Sequence, residues 1–318
     1  MGTMGVGGPL DVQKTRIVLD MFKAHQHQEI DTAVLYQGGK TERVLGEAGL
    51  GGLTVATKVN PWFDVNRGVS TDSPCKGLAP EAVRKQIQKS LAALGAKKVD
   101  LLYLHAPDHD TPIEDTLQTI HELHQSEVFE EWGLSNFASW QVVHIYHLCK
   151  ANNWKPPTVY QGMYNCLTRN VEKELFPALR LCGMRFYAYN PLAGGILTGK
   201  YQLKDNPQEG RFSGKTVWGV KYRERFWKDE IFEAVEKIKS QGEAHKITPI
   251  EAAMSWMYFH SALKGELGDG VIIGGSSVDQ IKENLGVIQN LKPLPADLLE
   301  TIEQAWIQAQ PNCPQYFR

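Results

Sequence analysis

Short apolar runs alternate with amphipathic segments along this chain, and the alternation predicts strands that each lead into a helix. The runs are rich in Val, Ile, Leu and Tyr, as buried parallel strands are. They cover residues 29–32, 53–57, 99–104, 131–134, 158–161, 184–189 and 270–273, and residues 2–4 form the stub of one more. Amphipathic helices are predicted over 12–25, 42–48, 80–94, 113–126, 139–152, 171–182, 230–241 and 278–288, with additional helices over 248–260 and 296–308.

Eight strands alternating with eight helices predict an α/β fold, a single (β/α)8 TIM barrel domain over residues 1–318 with extra C-terminal helices. A doubly wound sheet is the structural alternative. It would normally carry G-x-G-x-x-G after its first strand, and the glycines at 5–8 lack the third glycine at the right offset. Long loops follow the third and seventh predicted strands, over 60–79 and 191–225, and loops of that length are usually functional.

The charge balance and composition of the chain exclude several classes of binding partner. The 34 basic and 36 acidic residues leave a net charge of −2 without a block of like charge, so neither nucleic acid nor an anionic membrane is an expected partner. No apolar run approaches a membrane span, and the first ten residues lack the regions of a signal peptide. The five scattered cysteines form no C-x-x-C motif, which favours a reducing, cytoplasmic location.

Ionisable residues end three neighbouring predicted strands: Asp31, Lys58 and His105. Side chains at the carboxyl ends of barrel strands face the active site, so we expect the three to converge, with Tyr36 beside them. No metal site is expected, because residues 105–110 and the histidine pairs 121/124 and 144/147 lack further ligands at defined spacing. Glu42, near a helix start, is interpreted as a partner of the helix dipole.

This set of residues is suited to protonating an oxygen that gains negative charge, as when a carbonyl accepts hydride. A nearby Lys58 ammonium is expected to lower the pKa of the Tyr36 phenol, Asp31 to hold Lys58 charged, and neutral His105 to orient the carbonyl. Two other functions stay open. Lys58 is also placed as the nucleophile of a Schiff-base lyase or aldolase, although Asp31 would keep it protonated, and a barrel of this kind can serve as a non-catalytic NADPH-binding sensor.

Long motifs across nearly the whole chain resemble the aldo-keto reductases. They include EIDTAVLYQGG, LTVATKVNPW, DLLYLHAPDHDTPIEDTL, WGLSNFASW, YQGMYN, FYAYNPLAGGILTGKY and GVIIGGSSVDQIKENL. The segments YRERFW (222–227) and CPQYFR (313–318) are most similar to the aflatoxin-aldehyde (dialdehyde) reductase subgroup. The resemblance implies an NADPH-dependent reductase of small-molecule carbonyls, with Tyr36 as proton donor and Asp31, Lys58 and His105 as the other catalytic residues. The subgroup resemblance also suggests a homodimer.

The resemblance also assigns binding residues. Those matching the family's cofactor site are Ser135, Asn136, Gln161, Tyr189, Asn190, Leu192, Gly194, Lys200, Gly274, Ser276, Ser277, Gln280 and Asn284. Those expected around the substrate are Trp62, Phe63, Arg225 and Arg318, where the guanidinium groups would favour a carboxylate-bearing aldehyde. Many family members carry arginine at the position of Gln280 and lysine at that of Gly274. The family's first strand also begins upstream of Gly2, so either a short first strand or several missing residues is expected.

Overall fold

Seven parallel strands form one sheet, and each strand pairs with the next one along the chain. The computed structural model describes residues 1–62 and 76–318, so predicted Phe63 and Cys75 lie outside the described residues. The strands are β1 (Glu29–Asp31), β2 (Thr54–Val59), β3 (Val99–Leu104), β4 (Phe129–Ser135), β5 (Val159–Met163), β6 (Arg185–Tyr189) and β7 (Gly270–Val271). This sequential order is that of a curled α/β sheet whose carboxyl strand ends gather at one face.

Residues 1–3 join the two edges of this sheet. The Gly2 amide donates a hydrogen bond to the Ile273 carbonyl at 2.8 Å, just beyond β7. On the other side, the Asp31 amide donates to the Met1 carbonyl at 2.7 Å, and the Thr3 amide donates to the Asp31 carbonyl at 3.0 Å. The predicted stub at 2–4 thus forms one parallel bridge, Gly2 to Asp31, and no eighth strand is resolved in the described part of the chain.

Eleven α-helices occur in the described residues, most of them following a strand. They are α1 (Val12–Ala24), α2 (Lys40–Ala48), α3 (Pro80–Leu94), α4 (Ile113–Gln125), α5 (Ser139–Ala151), α6 (Leu175–Leu181), α7 (Val217–Phe226), α8 (Asp229–Ala244), α9 (Pro249–Ser255), α10 (Val278–Gln289) and α11 (Ala296–Ala309). Local chemistry sets several ends. Pro80 begins α3, Gly95 ends it in the left-handed conformation, and Thr248 with Glu251 forms a capping box at α9.

The structure departs from the sequence predictions in two long segments. The predicted loop at 191–225 contains a 3-10 turn, Ala193–Thr198, and most of α7, whose Gly, Lys and Arg residues made the segment resemble a loop. The predicted helix at 171–182 is shortened to α6, preceded by a separate 3-10 turn. In the described residues, no helix is both long and apolar enough to cross a membrane.

Candidate active site

A buried ion pair lies at the carboxyl end of β1 and β2. The Lys58 side chain is 0% exposed, and its Nζ donates to Asp31 Oδ1 at 2.7 Å and to the Thr32 carbonyl at 2.7 Å. Parallel pairing of β1 with β2 aligns Asp31 with Ala56, two residues before Lys58. The strand alternation places Ala56 and Lys58 on the same face. The sequence prediction that Asp31 and Lys58 converge therefore agrees with the geometry.

Tyr36 and His105 flank this ion pair. Tyr36 is buried in a 3-10 turn after β1, and Lys58 Nζ lies 5.4 Å from its ring centroid. The residue that follows, Gln37, has a φ of 49°, so the turn bends sharply beside the phenol. His105 follows β3, and its ring packs edge-on against Tyr36 with the centroids 6.0 Å apart. A phenol, an imidazole and an ammonium–carboxylate pair thus share one pocket wall.

The protonation states differ in one respect from the sequence expectation. Burial, followed by the Asp31 charge, raises the pKa of Tyr36 well above its ordinary value. The net shift of the phenol pKa is therefore upward, where the sequence analysis expected Lys58 to lower it, and burial is its largest cause. Burial also lowers the pKa of Lys58, against the opposing effect of Asp31. The pKa of His105 falls well below 6.5 through burial and the Lys58 charge, so its ring is neutral at pH 7.

Four of the predicted cofactor residues meet at the ends of β4, β5 and β6. Asn136, with a φ of 61°, donates through Nδ2 to the His105 carbonyl at 2.8 Å and to Ser135 Oγ at 2.9 Å. The Tyr189 hydroxyl donates to Asn136 Oδ1 at 2.7 Å. Gln161 donates through Nε2 to Asp31 Oδ1 at 2.7 Å. These hydrogen bonds fix polar side chains and one aromatic ring beside the phenol.

The predicted phosphate loop follows β6. Asn190 has a φ of 58°, its Oδ1 accepts a hydrogen bond from the Tyr222 hydroxyl at 3.1 Å, and its buried Nδ2 has no partner among the described residues. Beyond half-buried Leu192, Gly194 has a φ of 70°, a conformation that favours glycine. Lys200 is exposed, and its Nζ lies 4.9 Å from the Tyr201 ring centroid. The structure therefore shows Lys200 against an aromatic ring.

The second predicted cofactor segment surrounds the start of α10. Ser277 caps the helix, and its Oγ accepts from the Gln280 amide at 3.2 Å. The Gln280 side chain folds back, so that its Oε1 accepts both from the Ser276 amide and from Ser276 Oγ, each at 2.9 Å. Asn284 Nδ2 donates to the Gly274 carbonyl at 3.2 Å. A helix N-terminus attracts anions, and here a neutral amide side chain occupies one of its free N–H groups.

Aromatic and cationic side chains lie on the open side of His105. The Trp62 ring is 45% exposed and lies 5.8 Å from the His105 ring. The Arg318 guanidinium lies 5.1 Å from the Trp62 ring centroid, while its backbone amide donates to the Asn136 carbonyl at 3.0 Å. Arg225 lies 5.7 Å from the Tyr222 ring centroid, and its charge contributes to lowering the pKa of half-buried Arg318. Among the described residues, neither guanidinium forms an ion pair with an acid.

Two anchoring residues escaped the sequence analysis. The Tyr316 hydroxyl is hydrogen-bonded to the Glu174 carboxylate and accepts from the Ser139 amide, which ties the C-terminal segment over the site. Arg211, whose Nη1 lies 3.2 Å from Met4 Sδ, lowers the pKa of Tyr36 slightly against the effect of burial. Tyr316 lies in the quoted CPQYFR motif, but neither its contacts nor those of Arg211 could be predicted, because they join segments far apart in sequence.

Comparison with known proteins identifies the class to which this site belongs. The chain belongs to the aldo/keto reductase family, whose profile matches residues 1–307. It is an NAD(P)H-dependent oxidoreductase that acts on carbonyl groups. Aflatoxin B1 aldehyde reductase member 2 of Mus musculus is 45% identical over 333 residues, covering 100% of this chain and 87% of that protein.

Two further relatives show the range of the similarity. Aflatoxin B1 aldehyde reductase member 4 of Homo sapiens is 44% identical over 330 residues, covering 100% of this chain and 96% of that protein. Aldo-keto reductase pigE of Monascus ruber is 33% identical over 311 residues, covering 96% of this chain and 90% of that protein. These matches confirm the family and the subgroup that the sequence motifs predicted.

Proposed function

We propose that this chain is an NADPH-dependent carbonyl reductase in which Tyr36 donates the proton. The observation that carries the proposal is the buried Lys58–Asp31 pair beneath Tyr36, with the neutral His105 ring against the same phenol. The fold we propose is a single closed (β/α)8 barrel over residues 1–318, in which residues 1–3 act as the short first strand.

The residues present fit a nicotinamide dinucleotide. Ser135, Asn136 and Gln161 offer amide and hydroxyl groups for a carboxamide, and Tyr189 offers an aromatic face for a flat ring. The partnerless Asn190 Nδ2 is a further buried donor. Leu192, Gly194 and Lys200 would follow the pyrophosphate. Gly274, Ser276, Ser277, Gln280 and Asn284 would hold the adenosine phosphate. When bound, the cofactor supplies a hydride to the carbonyl carbon.

The protein's own groups would deal with the carbonyl oxygen. Neutral His105 can donate one hydrogen bond to this oxygen and so fix its position. Tyr36 stays protonated throughout the neutral range because burial and Asp31 raise its pKa, so a proton is in place when negative charge develops on the oxygen. Lys58 then stabilises the phenolate electrostatically from below.

Two observations argue against a Schiff-base mechanism. The Lys58 amine is 0% exposed, and two acceptors, Asp31 Oδ1 and the Thr32 carbonyl, fix its position. A Schiff-base lysine must reach its substrate as a neutral amine, whereas an adjacent carboxylate favours the ammonium form. The non-catalytic alternative predicts cofactor binding without turnover, which the assay below separates.

The side chains expected around the substrate favour an aldehyde that carries a carboxylate or a second polar group. Arg318 lies against the exposed Trp62 ring and Arg225 against the Tyr222 ring, and among the described residues no acid pairs with either. Guanidinium groups bind carboxylates through paired hydrogen bonds. A dialdehyde or a secondary-metabolite carbonyl would use the same aromatic wall, and one relative is named for an aflatoxin B1 aldehyde. Phe63 belongs to this proposal but lies outside the described residues.

The test is the loss of NADPH absorbance with 4-nitrobenzaldehyde, succinic semialdehyde and 9,10-phenanthrenequinone. Tyr36→Phe is expected to lower kcat about 100-fold or more, the usual contribution of a general acid, while the dissociation constant for NADPH stays near that of the parent. Tyr146→Phe, a half-buried tyrosine on α5, is the matched control and is expected to leave kcat unchanged. A Tyr36→Phe variant that reduces aldehydes at near the parent rate refutes the assignment.

The remaining parts of the proposal concern the cellular location, the oligomeric state and the partners of the protein. The four described cysteines, Cys149, Cys166, Cys182 and Cys313, are unpaired, which supports a cytoplasmic, reducing location. We also propose a homodimer that binds neither nucleic acid nor membranes. Light scattering on the purified chain tests the dimer, and a monomeric mass at micromolar concentration refutes it.

A further inference from the structure

A buried carboxyl group lies behind the catalytic lysine. Glu42 occupies the first turn of α2 but is only 1% exposed. Its Oε1 accepts a hydrogen bond from Thr57 Oγ1 at 2.5 Å, and its Oε2 accepts from Ser90 Oγ at 3.0 Å. The sequence interpretation of Glu42 as a partner of the helix dipole is therefore incomplete, because the side chain reaches across to β2 and α3.

Both carboxyl oxygens act as acceptors, which fits the ionised form of Glu42. Burial raises the pKa of Glu42, whereas the hydroxyl donors and the charges of Lys58 and Lys89 lower it. In the part of the chain that the structure describes, Glu42 has no ion-pair partner within 4.0 Å. An unpaired buried carboxylate is costly unless a nearby charge compensates it. We therefore expect a cation close to Glu42.

Lys58 is that cation. Thr57 and Lys58 are neighbours on β2, and side chains alternate along a strand. Thr57 therefore points to the helices, where Glu42 lies, and Lys58 points to the opposite face, where Asp31 lies. The Glu42 charge raises the pKa of Lys58, as Asp31 does, and burial lowers it. Asp31 thus contacts the ammonium directly on one face of β2, and Glu42, which is bonded to Thr57 on the other face, acts on it through its charge.

Resting on the proposed reductase function, we propose that Glu42 is a positioning residue for the reduction. Its carboxylate is a second counter-charge that keeps the Lys58 ammonium protonated, and its hydrogen bond to Thr57 holds β2 in place so that Lys58 stays beneath Tyr36. Asp31 and the Thr32 carbonyl orient the ammonium from the pocket side. Glu42 compensates the same charge from the helix side, where neither substrate nor cofactor reaches it.

Several titratable or charged groups face the two partners. Around Lys58 they are Asp31, Tyr36, Glu42, Tyr103, His105 and the Met1 amino group. Around Glu42 they are Lys58 and Lys89. Asp31 and Glu42 are the two carboxyl groups in this set. Removing the charge of Glu42 therefore leaves one carboxylate to hold the ammonium form, and the buried amine loses its proton at lower pH.

The experiment compares the parent with Glu42→Gln, which removes the charge, keeps an acceptor for Thr57 and places an amide NH2 group opposite Ser90. NMR of the ¹³C-labelled lysine side chains, with Lys58→Met to assign the signal, gives the pKa of Lys58 without any reaction. In Glu42→Gln this pKa is expected to fall by about one unit, in line with the loss of a nearby opposite charge. The basic limb of the kcat profile should move to lower pH by the same amount, with NADPH affinity unchanged.

Glu47→Gln is the matched control, since Glu47 lies exposed on the same helix and undergoes the same change of charge. Glu42→Asp, which retains the charge, is expected to keep the parent pKa of Lys58. If Glu42→Gln does not fold, Glu42→Met serves as the uncharged variant with the same expected direction. A Lys58 titration and a basic limb that coincide with those of the parent overturn the inference. A parent chain that reduces no carbonyl refutes the proposed function instead, and the NMR titration still decides the role of Glu42.

Discussion

The Asp31–Lys58 pair permits a quantitative prediction about stability. In the variant Asp31→Asn, the Lys58 ammonium keeps two neutral acceptors but loses the carboxylate that lies 2.7 Å away. Breaking a buried pair by removing one partner costs about 3–5 kcal/mol. The free energy of deprotonating lysine sets an independent upper limit on this cost, because Lys58 can become neutral instead of staying charged. Removing the proton from an ordinary lysine at pH 7 costs about 5 kcal/mol, at 1.36 kcal/mol for each pKa unit. Asp31→Asn should therefore lower the free energy of unfolding by about 3–5 kcal/mol.

The loss should also depend on pH in a defined direction. If Lys58 is neutral in folded Asp31→Asn, its pKa in the folded state lies below its value in the unfolded chain. The unfolded state then binds more protons, so stability rises with pH up to about 10.4, by as much as ~1.4 kcal/mol per unit. The parent should show a shallower rise, because Asp31 partly offsets the lowering of the Lys58 pKa by burial.

Urea unfolding followed by tryptophan fluorescence at several pH values measures both effects. Glu130→Gln is the control, because it removes the acid of the Lys98–Glu130 pair, whose side chains are each 57% exposed. Solvent screens such a pair, so this variant should unfold at the parent urea concentration. An Asp31→Asn protein within about 1 kcal/mol of the parent, with the same pH slope, would falsify the view that this carboxylate is what keeps Lys58 charged.

Three further predictions concern the rest of the site. Gln280→Arg should bind NADPH about tenfold more tightly relative to NADH, because one charge-assisted hydrogen bond to the phosphate contributes about this much. The substitution also frees the Ser276 amide, which Gln280 occupies in the parent. Fluorescence titrations that give the parent's ratio of dissociation constants for the two cofactors contradict this prediction. Tyr189→Phe keeps the ring but loses the bond to Asn136, and kcat should fall about fivefold; an unaltered kcat argues against the link. Below pH 6.5 the free energy of unfolding of the parent should fall with pH more steeply than that of His105→Gln, by up to ~1.4 kcal/mol per pH unit, because the buried His105 ring takes up a proton only on unfolding. An equal pH dependence of the two unfolding free energies, measured with urea, rules this out.

The strands could be predicted from sequence because buried parallel strands are continuous apolar runs, and all seven predicted runs from residue 29 onward coincide with strands apart from their ends. The placement of Asp31, Lys58 and His105 followed from one rule, that side chains at carboxyl strand ends meet. Strand register alone then brings Asp31 and Lys58 into contact, as the structure has them.

Electrostatics could not be predicted in the same way. The sequence places Lys58 near Tyr36, but only coordinates show how deeply the phenol is buried, and burial is the largest cause of its raised pKa. Glu42 was missed for a related reason. A helix-starting glutamate is usually exposed, and its burial depends on hydroxyl groups from β2 and α3 that lie 15 and 48 residues away in sequence.

The complete enclosure of Lys58 has a practical consequence for handling the protein. Amine-directed reagents, such as succinimidyl dyes and biotin esters, need an accessible, deprotonated amine. The 0% exposure of Lys58 removes it from their reach, while Lys98 and Lys150 face solvent. The protein can therefore be tethered to a surface or labelled through its outer lysines with turnover preserved.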